Sequence, residues 1–164
     1  MDMTHPVSSE SVANFFLQKS FDTGIAITPM KLIKLVYIAH GWHLGYFDQT
    51  LINDAVEAWQ YGPVIPDLYH KVKAYGRKTI TAPVDNNGVI GDEQNPLPHE
   101  KSLALLERIW EVYGKHDGVH LSALTHQPRT PWDITWQAGG KNHYAGCLIS
   151  NETIKEHYKS KVSS

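Results

Sequence analysis

Apolar side chains along this chain recur mainly at the three-and-four spacing that gathers them on one side of an α-helix, and this period predicts a mostly helical protein. After Ser8 or Ser9, either of which can cap a helix, Val12, Phe15, Phe16 and Leu17 form the first such stripe, running to about Lys19. Phe21 to Ile27 carries Asp22 and Gly24 and has the composition of a loop. Thr28-Pro29 then reads as an N-cap followed by proline at the first helical position. From Met30 to about Tyr46, Leu32, Leu35, Val36, Ala39 and Trp42 define one face, and Ile33, Tyr37, Ile38 and Leu44 widen it to nearly a full girdle. A helix apolar on almost every side belongs in the middle of a structure. Gly41 and Gly45 each cost that helix about 1 kcal/mol relative to alanine, so their presence predicts a partner element crossing close by.

At Ala55 to Tyr61 the pattern shortens toward alternation, and Val56, Trp59 and Tyr61 predict a short strand that Gly62-Pro63 breaks. Pro66 opens a helix carrying Leu68, Tyr69, Val72 and Tyr75, with Gly76 as its left-handed cap. Arg77 to Pro98 contains three prolines and Asn86-Asn87-Gly88, and reads as a flexible loop or a small exposed hairpin. Helical spacing returns through Leu103, Leu106, Ile109, Trp110 and Tyr113 until Gly114. A short helix follows around Leu121, Ala123 and Leu124, and Thr130-Pro131-Trp132 marks the start of another. Ser150 or Asn151 caps a last helix whose clear apolar pair is Ile154 and Tyr158, so that helix is expected to lie on the surface. Neither a repeat nor a linker interrupts the pattern. The expectation is one compact domain over residues 1–164, mainly α with a small two- or three-stranded β element, an α+β helical bundle built around the Met30 helix.

Composition sharpens this picture more than it changes it. With 164 residues, 41% apolar and 20% charged, the chain can bury about two-thirds of its unfolded surface around one core. A formal net charge of -2 and a pI near 6.5, with no Lys/Arg run longer than Arg77-Lys78, do not provide the electrostatic footprint of a nucleic-acid binder. The single Cys147 excludes an intramolecular disulfide and fits a reducing compartment. Met1 to Ser9 lacks the basic-then-apolar pattern of an export signal, and no window reaches the length of apolar chain a membrane helix needs, so a cytoplasmic protein is expected.

Ten histidines raise the question of metal or proton chemistry. His40 and His43 share a face of the long helix, and His70 and His99 are candidates to approach them, but the spacing matches no zinc signature and no metal is expected. Cys147 with His143 is the one nucleophile-and-base pair in view, and their loop separation sets no catalytic geometry. There is no Gly-x-Ser-x-Gly elbow and no glycine-rich phosphate loop, so the reading is of a protein that binds rather than catalyses. Lys31 with Lys34, and Lys71, Lys73, Arg77 and Lys78, read as two solvated basic edges.

The blocks Thr28-Pro29-Met30-Lys31-Leu32-Ile33-Lys34-Leu35-Val36-Tyr37 and Glu57-Ala58-Trp59-Gln60-Tyr61-Gly62-Pro63-Val64-Ile65-Pro66-Asp67-Leu68-Tyr69 resemble the Panacea family, the SocA-like antitoxin domain to which GepA-like phage-associated proteins also belong. The resemblance continues at Lys73-Ala74-Tyr75-Gly76, Leu121-Ser122 and Thr130-Pro131-Trp132, and ends with Ile149 and the Ile154-to-Tyr158 helix. It implies a globular module, also found in phages and prophages, that neutralises a cognate toxin by direct contact and needs no cofactor. Within the family one member looks like an adaptor that delivers its toxin to an ATP-dependent Clp-type protease, which leaves occlusion and degradation both open, as well as a phage protein that binds a host factor.

Pro29, Trp59, Gly62, Pro63, Gly76, Pro131 and Trp132 carry the structural motif, with Trp59-Gly62-Pro63 forming a corner whose loss should lower stability first. The expected partner-binding residues are Tyr61, Tyr69, Arg77 and Lys78, because aromatic and basic side chains on loops held by a rigid scaffold make recognition surfaces.

Overall fold

A computed structural model of the chain describes residues 5–84, 96–139 and 147–163. Its helices are α1 (Ser9–Thr23), α2 (Pro29–Phe47), α3 (Pro66–Val72), α4 (Glu100–Tyr113), α5 (Gly118–Thr125), α6 (Pro131–Ala138) and α7 (Asn151–Val162), with a 3-10 turn at Lys73–Tyr75. Strands β1 (Glu57–Trp59), β2 (Gly62–Val64) and β3 (Cys147–Leu148) form an antiparallel sheet in the order β2-β1-β3. The protein is therefore mainly α with a small β element.

Side-chain caps fix where the helices start. Ser8, Thr28, Asp117, Thr130 and Ser150 each sit in extended backbone and accept from the amide at the third position beyond, which satisfies a donor that has no partner inside the helix. Pro29, Pro66 and Pro131 occupy first turns, where a missing amide costs nothing. Helix α1 runs a turn further than its apolar stripe, so Phe21 to Thr23, expected in a loop, are helical and Gly24 ends the helix in left-handed backbone.

Every residue from Lys31 to Gly41 is buried, because α1, α3, α4, α5, α7 and β2 all pack on α2. The near-complete apolar girdle thus marks a central rod. Helix α7 crosses α2 at its two glycines: a Cβ on Gly41 would lie 2.2 Å from the Tyr158 ring, and one on Gly45 would lie 3.0 Å from the Tyr158 main chain. The crossing expected from the glycines is α7, and Ile154 and Tyr158 are core residues, 0% and 6% exposed, rather than a surface pair. Lys155 and Lys159 reach Asp48 at the end of α2 from the solvent side of the same crossing. Among the described residues no helix is long and apolar enough to cross a membrane.

One polar atom in this packing has no partner among the described residues, the hydroxyl of fully buried Tyr37. Burying a hydroxyl without a hydrogen bond costs about 1–3 kcal/mol. Tyr37→Phe keeps the ring and removes that cost, so it is expected to raise the urea midpoint, by up to about 1 kcal/mol of stability; a fall would show that the hydroxyl is bonded.

Three local expectations change. Gly62 and Pro63 do not break the β element but form β2, paired as Trp59↔Gly62 and Ala58↔Pro63. Gly62 takes φ 116, open to glycine alone, and Pro63 suits a short edge strand that lacks a donor. Gly76 closes the 3-10 turn rather than α3, with φ 61 and ψ -113 instead of the left-handed helical cap. Within Arg77 to Pro98, residues 85–95 lie outside the described part. The stretch before them is seated, not exposed, at two points: the Ile80 amide bonds the Ile27 carbonyl, and Asn14 clamps the Val84 main chain with bonds of 3.1 and 2.7 Å.

Candidate functional site

The β1–β2 hairpin packs on the bundle and turns at Tyr61, which is 68% exposed. Its backbone is fastened from three sides. Lys34, from the middle of α2, donates from Nζ to the Pro63 carbonyl at 2.7 Å. Ser122 of α5 donates from Oγ to the Tyr61 carbonyl at 2.8 Å, and the Trp132 indole of α6 donates to the Trp59 carbonyl at 2.6 Å. Gly62 is required here twice, by its positive φ and because a Cβ would lie 3.0 Å from Lys34 Nζ.

Aromatic rings continue outward from these anchors. The Trp59 indole donates to Glu57 on its own strand and meets the Tyr69 ring edge to face at 5.2 Å, which joins α3 to the hairpin. Trp132 stacks on Trp136 at 5.4 Å, with the His126 ring edge-on against it. Exposed Leu148 lies opposite Glu57 on β3, and Ile134 is exposed on α6. The structure thus joins Tyr69 to the hairpin that carries Tyr61. Arg77 and Lys78 are exposed beyond the 3-10 turn, and no hydrogen bond, ion pair or ring contact among the described residues links them to the hairpin.

Lys31 and Lys34 are not a solvated basic edge: they are 4% and 3% exposed. Lys31 donates to the Gly114 carbonyl at the end of α4, where the helix dipole favours a cation, and its ammonium lies 5.7 Å from the centre of the Trp110 ring. Burial pushes the pKa of Lys31 down against the pull of Asp117, and burial alone brings Lys34 to about 7. The sequence did hold a signal for these anchors, a lysine repeated inside an apolar girdle. Ser122 and His126 carried none.

His40 and His43 are fully buried and bonded through both ring nitrogens. His40 accepts the Leu51 and Ile52 amides at Nδ1, which leaves Nε2 to donate to Asn151. His43 bonds the Gln49 carbonyl and Ser102 with its two ring nitrogens. Burial holds the pKa of His40 down to about 4, and lowers that of His43 as well. His70 is exposed on α3, and His99 caps α4 by accepting the Lys101 amide. Among the described residues no three His, Cys, Asp or Glu side chains gather to hold a metal. Cys147 sits half-buried on β3, and His143, its sequence neighbour, lies outside the described residues.

With this geometry in view, comparison with known proteins gives two matches. The family described as Antitoxin SocA-like, Panacea domain, matches residues 32–133, a span that starts in α2, includes the whole hairpin and ends on Asp133. The chain is also 32% identical over 165 residues to Antitoxin SocA of Caulobacter vibrioides (strain NA1000 / CB15N), covering 96% of this chain and 86% of that protein. No solved structure matches it.

Proposed function

Because this chain belongs to the SocA-like antitoxin family with the Panacea domain, we propose that it neutralises a cognate toxin by direct protein–protein contact. The observation that carries this reading is the match to a protein named an antitoxin, extending over nearly the whole chain. The hairpin supports it physically. The main chain that presents Tyr61 is held by Lys34 at the Pro63 carbonyl and by Ser122 at the Tyr61 carbonyl, so little backbone freedom is left to lose when a partner covers it. Tyrosine, tryptophan and arginine are also the residues that dominate binding energy where they are desolvated. On this reading Tyr61 and Tyr69 form the contact surface with Trp59 behind them, and Arg77 and Lys78 add exposed charge beyond the 3-10 turn.

The test is co-expression with the product of the neighbouring gene. This protein should restore growth and copurify with that product, and Tyr61→Ala should weaken the complex by at least about tenfold while leaving the fold intact. Absence of both rescue and copurification would remove the antitoxin reading. A toxin half-life that falls only when a Clp-type protease is present would replace occlusion with delivery for degradation.

A further inference from the structure

Where the chain turns from α4 into α5, two imidazoles stack on each other, His116 on His120, with ring centres 4.2 Å apart and planes 21° from parallel. His120 is exposed and His116 half-buried. Unlike His40 and His43, neither ring has a hydrogen-bond partner among the described residues, so each keeps a nitrogen lone pair free.

The main chain beneath the two rings is fixed. The His116 amide donates to the Tyr113 carbonyl at 3.0 Å, and the His120 amide donates at 2.8 Å to the Asp117 carboxylate that caps α5. Gly118, between them, seats the start of α5 directly on α2, since a Cβ there would lie 2.9 Å from the Lys31 amide nitrogen. The four-residue separation that brings the rings together is also the spacing at which two histidines on a helix share a metal ion.

An ion held by two imidazoles lies about 2.1 Å from each nitrogen, which sets the nitrogens about 3 Å apart. Rings already stacked at 4.2 Å can reach that separation by side-chain rotation, with the backbone where it is. Imidazole nitrogen suits copper, nickel and zinc, whereas magnesium and calcium take oxygen ligands. Among the charged neighbours, Lys115 and Lys31 oppose a cation and Asp117 favours it. Burial, His120 and the two lysines lower the pKa of His116 against the pull of Asp117, so its ring is neutral at pH 7, the state that ligation requires.

We propose that His116 and His120 chelate one divalent transition-metal ion of the copper, nickel and zinc class, with water at its remaining positions. Two protein ligands give weaker capture than the four of a closed structural zinc site. The ion ties down the first turn of α5, two residues before Ser122, whose hydroxyl holds the hairpin at the Tyr61 carbonyl. The proposal goes beyond the antitoxin reading, because no toxin is needed to fill the site.

The test is calorimetric titration of the untagged full-length protein with nickel sulfate at neutral pH. One nickel ion per chain should bind at micromolar concentration, and magnesium chloride should give no signal. His116→Ala and His120→Ala should each weaken binding by at least about tenfold, because a single imidazole no longer chelates. His70→Ala, which removes an exposed histidine on α3, should leave the affinity unchanged. Only the folded turn holds the two rings together, so nickel at about a hundredfold excess over its Kd should raise the thermal midpoint of the wild type by several degrees, and that of neither alanine variant. Should an alanine variant fail to fold, His116→Gln and His120→Gln carry the same expectation. Lack of saturable nickel binding at micromolar concentration overturns the proposal. Wild-type affinity in a folded His116→Ala/His120→Ala double variant also overturns it and places the metal on other histidines, and magnesium binding as tight as nickel overturns it in favour of carboxylate ligands.

Discussion

Adding a single methyl group at Gly41 should cost the protein about 3 kcal/mol, although glycine to alanine inside a helix ordinarily gains about 1 kcal/mol. The new Cβ would lie 2.2 Å from Tyr158 Cε2 and within 2.6 Å of two further ring atoms. The ring has no easy retreat, because Trp42 packs against it at 5.2 Å and Tyr37 at 6.4 Å. Either α7 lifts off α2 or the ring leaves the core, and losing a buried aromatic side chain costs about 3–5 kcal/mol. The mechanism is separable from general disruption by a double-mutant cycle. In a Tyr158→Ala background the obstructing ring is gone, so Gly41→Ala should turn stabilising by about 1 kcal/mol. Gly45→Ala should show no such rescue, because its Cβ would meet Tyr158 Cβ and main chain, both of which alanine retains. Urea unfolding of the wild type and these five variants decides the matter, and a stabilising Gly41→Ala in the wild-type background would refute the crossing.

The second large effect is a stability that climbs with pH across most of the accessible range. Burial lowers the folded-state pKa of His40 to about 4, from 6.5, and lowers that of His43 too, so below pH 6.5 the unfolded chain binds protons that the folded one refuses. Stability therefore falls as pH drops through that window, with a limiting slope of about 1.4 kcal/mol per pH unit for each histidine. Lys34, brought from 10.5 to about 7, acts with the same sign in a higher window, and Lys31 adds to it. There the unfolded state again holds more protons, so stability rises from about pH 7 towards 10. Above 10 the sign reverses, because burial raises the pKa of Tyr37 and Tyr158 and the unfolded phenols lose protons first. Denaturation midpoints should rank pH 9 above pH 7 above pH 5. Lys34→Met should remove most of the gain between 7 and 9. Equal midpoints at 7 and 9 in the wild type would mean that Lys34 keeps its charge and its water.

Both effects arise on α2, and they show how far local pattern carries. The apolar girdle of Leu32 to Leu44 and the capping pair Thr28-Pro29 placed the central helix almost to the residue. Gly41 and Gly45 announced a close crossing, but nothing near them in the chain identified α7, whose single apolar pair read as a weak surface stripe. Trp59, Gly62 and Pro63 stood out as a corner, yet the same residues make a paired hairpin once Val64 finds Glu57. Tyr61 was legible as exposed and aromatic. Its fastening by Ser122 was not, because a serine on a short helix carries no mark of a partner 61 positions away.

The sequence by itself determined the helices, their starts and the central place of α2, since apolar periodicity and capping hydrogen bonds act within one or two turns. Only the tertiary structure decided which charges went inside. Lys34 reads as surface until a carbonyl 29 positions later comes within reach of its ammonium, and His40 has no visible partner until Asn151, 111 positions on, accepts the hydrogen bond from its Nε2. The reason is physical: a polar group's burial depends on the partner that satisfies it, and such partners are brought together by packing rather than by nearness along the chain.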